Sequence, residues 1–190
     1  MPTKESIIKY FETREAWRKW LETNFETATE VWFVHPKKTS DRKAISYNDA
    51  VEEALCFGWI DSTVKSLNET ERIQRFTPRK PKSLYSQPNK ERLKWLFENE
   101  KIHPKLLSEV QKVLSEPFVF PDDILDKLKA DKTVWQHFNH FSDAYQRIRI
   151  AYIDAARKRP EEFEKRLNNF LMKTKENKKI AGFGGIEKYY

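Results

Sequence analysis

The sequence predicts a helix-rich α+β protein. A small antiparallel sheet, made of a strand near residues 30–35 and a hairpin near residues 59–77, packs on helices, and a C-terminal all-helical part follows. Three observations carry this reading. Only four glycines occur in 190 residues, too few for a fold built on Gly-rich loops. Compact β-branched and aromatic runs, the signal of strands, occur between residues 30 and 77. Past residue 116 the apolar residues recur at helical spacing.

The elements follow in order. Thr13 is placed to cap a helix carrying Ala16, Trp17, Trp20 and Leu21 on one face. A helical turn or two is expected before it, around residues 6–11. The run EVWFVH, from Glu30 to His35 and ended by Pro36, is a strand. Ser46 with Asp49 three residues on resembles a capping box, with Asp in place of Glu, and opens a helix over residues 47–57. Ala50, Val51, Ala54 and Leu55 form its buried face, and Gly58 sits where a helix C′ residue belongs. Residues 59–67 and 71–77 are the strands of a hairpin turning over Asn68–Thr70, stopped by Pro78 and Pro81. Asn89 is placed to cap a helix over residues 90–100, with Leu93, Leu96 and Phe97 inward, and Pro104 starts another.

The segment EPFVFPDD marks a boundary. Residues 1–115 read as an α+β domain with a central basic motif. Residues 116–190 read as a helical part packed on it as one compact unit. Its helices are expected over DILDKLKAD, around Val134–Phe141, from Asp143 to about Arg159, and from Pro160 to about Glu176. The tail GFGGIEKYY, with three of the four glycines, is a flexible end or a docked strap.

Composition bounds the function. A chain of this length buries roughly 70% of its unfolded surface and needs neither disulfide nor metal to fold. Cys56 is the single cysteine, so no intrachain disulfide forms and no cysteine-based metal site is expected; a reducing cytoplasm fits. The N-terminal residues lack an apolar h-region and no 18-residue apolar run occurs, so neither a secretory leader nor a membrane span is expected. P-loop, GxSxG, HExxH and GxGxxG motifs are absent, so the common motif-bearing enzyme classes lack support and no cofactor is expected. His137 and His140, three apart with Asp143 nearby, would need convergent geometry to hold a metal, and we assign them none.

Charge is where the sequence is unusual. Between Arg72 and Trp95 stand eight cations, Arg72, Arg75, Arg79, Lys80, Lys82, Lys90, Arg92 and Lys94, against one acid, Glu91. This matches the whole formal excess of +7, and a localised excess points to a partner of opposite sign. Arg75, Arg79, Lys80, Lys82, Ser83, Ser86, Asn89 and Arg92 bring guanidinium, ammonium, hydroxyl and amide donors around a helix start. Free N–H groups there attract anions, and arginine adds a planar fork for phosphate or carboxylate. The plain alternative is a solvated basic face. Tyr85, Trp59 and Phe76 could stack on bases if the anion were nucleic acid.

In the segment Cys56-Phe57-Gly58-Trp59-Ile60-Asp61 the cysteine reads as core, because free cysteine is among the most buried residue types. Trp59 reads as core or as a flat ligand platform. Asp61 is expected to pair with Arg75 or Arg79 across the hairpin. The alternative makes it the acid/base of a small-molecule enzyme, with Arg79 or Lys82 as electrophilic partner.

Three stretches resemble a known family. SYNDAVEEALCFGWID followed by RFTPRKPKSLYSQPNKER, with the C-terminal FSDAYQRIRIAYIDAARKRPEEFEKRL, is similar to the YdeI/OmpD-associated, "bacteriocin-protection" proteins. Tyr85 stands where that family's motif usually has Trp, and Lys158-Arg159-Pro160-Glu161-Glu162-Phe163 departs partly from its helical end. The resemblance implies a functional central motif, not a mechanism. Three functions follow as expectations: binding of an anion, whether nucleic acid or a phosphorylated or carboxylated metabolite; small-molecule catalysis through Asp61; or a protein-interaction module linked to peptide resistance.

Overall fold

The computed structural model describes residues 7–37, 42–81, 83–182 and 184–190. Among these lie four strands and eight α-helices: β1 (Ile8–Tyr10), α1 (Arg14–Asn24), β2 (Val31–Pro36), α2 (Tyr47–Cys56), β3 (Trp59–Ser66), β4 (Glu71–Pro78), α3 (Gln87–Glu98), α4 (Leu107–Ser115), α5 (Asp122–Lys129), α6 (Lys132–His140), α7 (Asp143–Asp154) and α8 (Pro160–Lys175). They divide into two compact units, one of residues 1–85 with 93–113, the other of residues 86–92 with 114–190.

The first unit is built on a sheet of order β1-β2-β4-β3. The β3–β4 hairpin and the β2–β4 pair are antiparallel, as expected, but β1 joins β2 in parallel, so the sheet is mixed. Residues 8–10 therefore form an edge strand where a helical turn was expected. The reason is tertiary: β2 offers an open edge, and the Trp32 N–H donates to the Ile7 carbonyl at 2.8 Å. The alternation of strands sorts side chains to two faces. Phe33, His35, Gln74, Phe76, Trp59 and Asp61 share one face. Trp32, Val34 and Ile73 cluster on the other with Tyr10.

Aromatic burial holds the first face. Trp17 of α1 is fully buried against Phe33 and Phe76, with ring centroids 5.3 and 5.4 Å apart, edge-on or tilted as π quadrupoles prefer. Caps fix both helices. Thr13 accepts from the Ala16 N–H and Ser46 from the Asp49 N–H. Gly58 has φ +69°, the left-handed conformation that ends α2, and an added Cβ would meet Leu106 Cδ1 at 3.1 Å.

The inner face of α2 is more polar than its periodicity suggests. Ala50, Val51, Ala54 and Leu55 are buried as expected, but so are Glu52 and Glu53. Arg14 of α1 reaches Asp49, Glu52 and Glu53, and Arg18 reaches Glu53 at 2.8 Å. Burial alone would lower the Arg14 pKa, but the bonds and charges of Glu53 and Glu52 reverse this and hold the guanidinium above its ordinary value.

In the second unit α5 to α8 enclose a core that includes Ile124, Leu128, Phe138, Tyr145, Ile153, Leu167 and Phe170. Asp131 caps α6 and Ser142 caps α7. Helix α7 ends at Asp154, earlier than the expected Arg159. Beyond Asp154 the backbone tightens into i→i−3 turns, the Ala156, Arg157 and Arg159 N–H groups donating to the Ile153, Asp154 and Ala156 carbonyls, and Arg159 takes the non-helical φ −131° that a following Pro160 favours. The tail is docked: Ile186 is buried within a short 3-10 turn, Ile186–Tyr189.

Candidate functional site

The loop after β4 takes its shape from Pro78 and Pro81. Proline cannot extend the ladder, so the chain leaves the sheet at Arg79, whose N–H donates to the Gly58 carbonyl at 2.9 Å. The chain turns at Pro81, and the Ser83 N–H and hydroxyl both donate to the Lys80 carbonyl. The turn folds back on the arginine. Arg79 Nη2 donates to the Ser83 carbonyl, the Ser83 hydroxyl and the Leu84 carbonyl, at 3.1, 3.2 and 2.9 Å. The guanidinium lies over the Tyr85 ring with its carbon 3.6 Å from the ring centre. Burial, aided by nearby Glu109, raises the Tyr85 phenol pKa against the opposing charge of Arg79. Among the described residues these three bonds all use Nη2.

The other expected site residues separate. Lys80 is exposed at the turn, and Lys82 lies outside the described residues. Arg75 is paired with Glu30 at 2.6 Å instead of with Asp61. Ser86, Asn89 and Arg92 belong to the second unit. There α3 begins at Gln87, so Asn89 sits within the first turn instead of capping it, and its side chain accepts from Arg92 Nη1 at 3.1 Å. Arg92 is buried and also donates to the Gly184 carbonyl at 3.0 Å. Ser86 is exposed, and its carbonyl accepts the Lys90 N–H. Lys90 pairs with Glu116 at 2.8 Å.

Two aromatic candidates are core. Trp59 is 1% exposed, donates its indole N–H to the Phe25 carbonyl, and meets Trp20 edge-on; Phe76 is 0% exposed. Neither can stack on a base, because the α1 packing that buries them leaves no open ring face. Tyr85 alone of the three keeps that potential.

Asp61 pairs opposite Phe76, so Arg75, one residue back along β4, points to the other face of the sheet. It is half-buried, and its Oδ2 accepts from the Tyr47 phenol at 3.0 Å and from Gln74 Nε2 at 2.7 Å. The ladder is irregular directly after it, between Asp61 and Val64. His35 lies one rung along from Gln74 on the same face, 4% exposed, stacked on Phe33, its Nε2 buried without a hydrogen bond among the described residues. Burial, with the charge of Arg72, pushes its pKa down to about 4. Tyr47, Gln74 and His35 were missed because alternation assigns a position to a face and says nothing of which polar residues meet there.

Cys56 is core. Burial, with the charge of Glu53, pushes its thiol up to about 12, where no nucleophilic thiolate is present at neutral pH. The histidines do not converge: the ring Nδ1 of His137 bonds the Thr174 carbonyl and that of His140 the Gln136 carbonyl. Among the described residues no three His, Cys, Asp or Glu side chains are grouped as a metal ion would need. No described helix is long and apolar enough to cross a membrane.

Comparison with family models gives two matches. Residues 9–109 match the model described as "Domain of unknown function (DUF8412)", and residues 117–177 match "Bacteriocin-protection, YdeI or OmpD-Associated". The central motif lies within the first match and the similar helical end within the second. No curated protein and no solved structure matches the chain.

Proposed function

The chain belongs to the family of that domain of unknown function and carries a YdeI/OmpD-associated segment at residues 117–177; on that premise we propose that it binds a compact anion, a phosphate or carboxylate group of a small metabolite, at the loop after β4. The observation that supports this is the posture of Arg79. Stacking on Tyr85 and three acceptors on Nη2 hold the guanidinium in one orientation before any ligand arrives. Ordering a long side chain is a main cost of binding, and pre-organisation removes it. Lys80 adds a second charge at the same turn.

A compact anion is favoured over a nucleic-acid backbone because the cations do not make a continuous track. Arg75, Lys90 and Arg92 are committed to Glu30, Glu116 and the Gly184 carbonyl. Arg72 stands seven residues back along the strand, roughly 20 Å away at about 3.3 Å per residue. Buried, unreactive Cys56 accords with a reducing compartment, where we place the protein.

The test is calorimetric titration at low salt with inorganic phosphate, citrate and a short oligonucleotide. Saturable binding of the small anions is expected, weakened about tenfold or more in Arg79→Ala and in Arg79→Lys, which keeps the charge but loses the fork and the stack. Equal affinity in wild type and Arg79→Ala would overturn the assignment. Tight oligonucleotide binding with a salt slope near −4, the value for about five phosphate contacts, would replace it with a nucleic-acid site.

One observation supports a second reading. Leu84, beside Arg79, is 92% exposed, a large apolar side chain where a loop would dock an acidic protein segment. Loss of a co-purifying partner in Leu84→Asp, with phosphate affinity intact, would favour it.

A further inference from the structure

The second unit holds a buried positive charge with no acid beside it. Arg149 of α7 is 8% exposed, and among the described residues no carboxylate side chain lies within ion-pair distance of it. Its Nη2 donates instead to neutral acceptors on the tail: the Ile180 carbonyl at 2.5 Å, the Ala181 carbonyl at 2.9 Å and the Tyr190 phenol at 2.6 Å. Its Nε is buried with no hydrogen bond. Lys179 lies on the same rings as Arg149, its Nζ 5.7 Å from Tyr145 and 5.9 Å from Tyr190. The one acid of this tail, Glu187, accepts from the Gly182 N–H. Two cations thus share two tyrosine rings; the acid nearest them among the described residues, Glu187, acts on the Tyr190 phenol and makes no ion pair with either cation. A buried charge held by neutral groups alone is poorly compensated, and a buried donor left unmade costs further free energy.

The tail closes over this point by a narrow fit. An added Cβ on Gly182 would lie 2.0 Å from Ile186 Cγ2 and 2.7 Å from the Tyr190 oxygen, so only glycine allows the closure. The Ile180 N–H donates to the Tyr145 phenol at 2.8 Å, fastening the same segment. We infer that Arg149 and Lys179 form a second anion site, for a phosphate or carboxylate group, capped by Ile180, Ala181 and Tyr190, whose carbonyls and phenol hold the arginine until an anion takes their place. An anion would receive the arginine as a two-pronged fork and restore the missing charge. The buried Nε means that the tail must lift for this to happen. The inference is independent of the loop at Arg79.

Hydrogen exchange at constant ionic strength tests it, with inorganic phosphate or citrate replacing chloride. Exchange of the Ile180 and Gly182 amides is expected to accelerate saturably in wild type and equally in Arg79→Ala. Lys179→Gln should weaken the response about tenfold. Gly182→Ala, which forces the tail off its seat, and Tyr190→Phe, which removes one competing acceptor, should shift it to lower anion concentration. These opposite signs separate the site from a structural staple, and neither Lys179 nor Gly182 carries the core. Exchange that does not change with either anion, or that changes alike in wild type and Lys179→Gln, would overturn the site. A response to citrate alone or to phosphate alone would assign the group it takes.

Discussion

The α1–α2 face of the first unit and the tail of the second handle buried charge in opposite ways. In the first, fully buried acids are matched by half-buried arginines: Glu52 and Glu53 face Arg14, and Glu53 also takes Arg18. In the second, the buried arginine Arg149 has carbonyls and a phenol. A network of paired opposite charges holds two helices together and leaves no net charge to attract an anion. An incomplete one holds its element in place while keeping affinity for a charge it lacks. The loop arginine Arg79 is of the second kind, pinned by carbonyls and a ring and in no ion pair among the described residues. On this comparison the places to look for ligands are the arginines without acids, and the acid-matched arginines are structural.

The largest expected effect tests the structural side. Arg14→Met keeps an apolar stem but leaves Glu52 and Glu53 in a buried site with a main partner gone. Breaking a buried pair this way costs roughly 3–5 kcal/mol, to be read from urea unfolding at neutral pH. Anion binding should be unchanged. A cost below about 1 kcal/mol would mean that the network does not secure α1 to α2, and the contrast between the units would lose its first half.

His35 sharpens the contrast, being a buried titratable group of the first unit with no carboxylate paired to it among the described residues. Its folded pKa, about 4, lies below the ordinary 6.5. The unfolded chain therefore binds more protons between these values, and stability rises with pH across the window. The contribution is complete above pH 6.5 and is lost as pH falls towards 4, by about 3 kcal/mol at the lower end. Stability measured at pH 7 and pH 4 should differ by that much less in His35→Leu than in wild type. A difference as large in the variant would assign the acid sensitivity to the carboxylates instead.

Much of the fold was legible because local chemistry dictates it. Ser46, Asp49 and Gly58 bounded α2 through capping and a left-handed terminus, and the prolines at 78 and 81 ended β4 where the ladder no longer tolerates them. What was not legible depended on partners distant in the chain. Residues 8–10 became a strand only because β2 supplied an edge. Glu52 and Glu53 entered the core only because Arg14 and Arg18 lie across from them. The candidate loop was visible as a cluster of charge, but a sum of charges does not say which are already taken. Glu30 on Arg75 and Glu116 on Lys90 were decided by folding, and so was the meeting of Arg79 with Tyr85. The periodicity around Arg149 likewise gives no sign that the tail would cover it.

The smallest expected effect bears on the boundary between the two kinds of arginine. Glu30→Gln removes the acid from Arg75, a partly exposed pair whose loss should change stability by less than about 1 kcal/mol. Arg75 then joins the arginines without a carboxylate, while Arg79 keeps its own surroundings. Four residues of strand, roughly 13 Å, separate the two, farther than one phosphate spans but within reach of successive phosphates on a strand. If the loop takes a compact anion, phosphate affinity will be unchanged by Glu30→Gln. If it tracks a nucleic-acid backbone, oligonucleotide affinity will rise and the salt slope will steepen by about one. Titration of wild type and variant against both probes at two salt concentrations separates these outcomes, and a rise in oligonucleotide affinity would withdraw the compact-anion assignment.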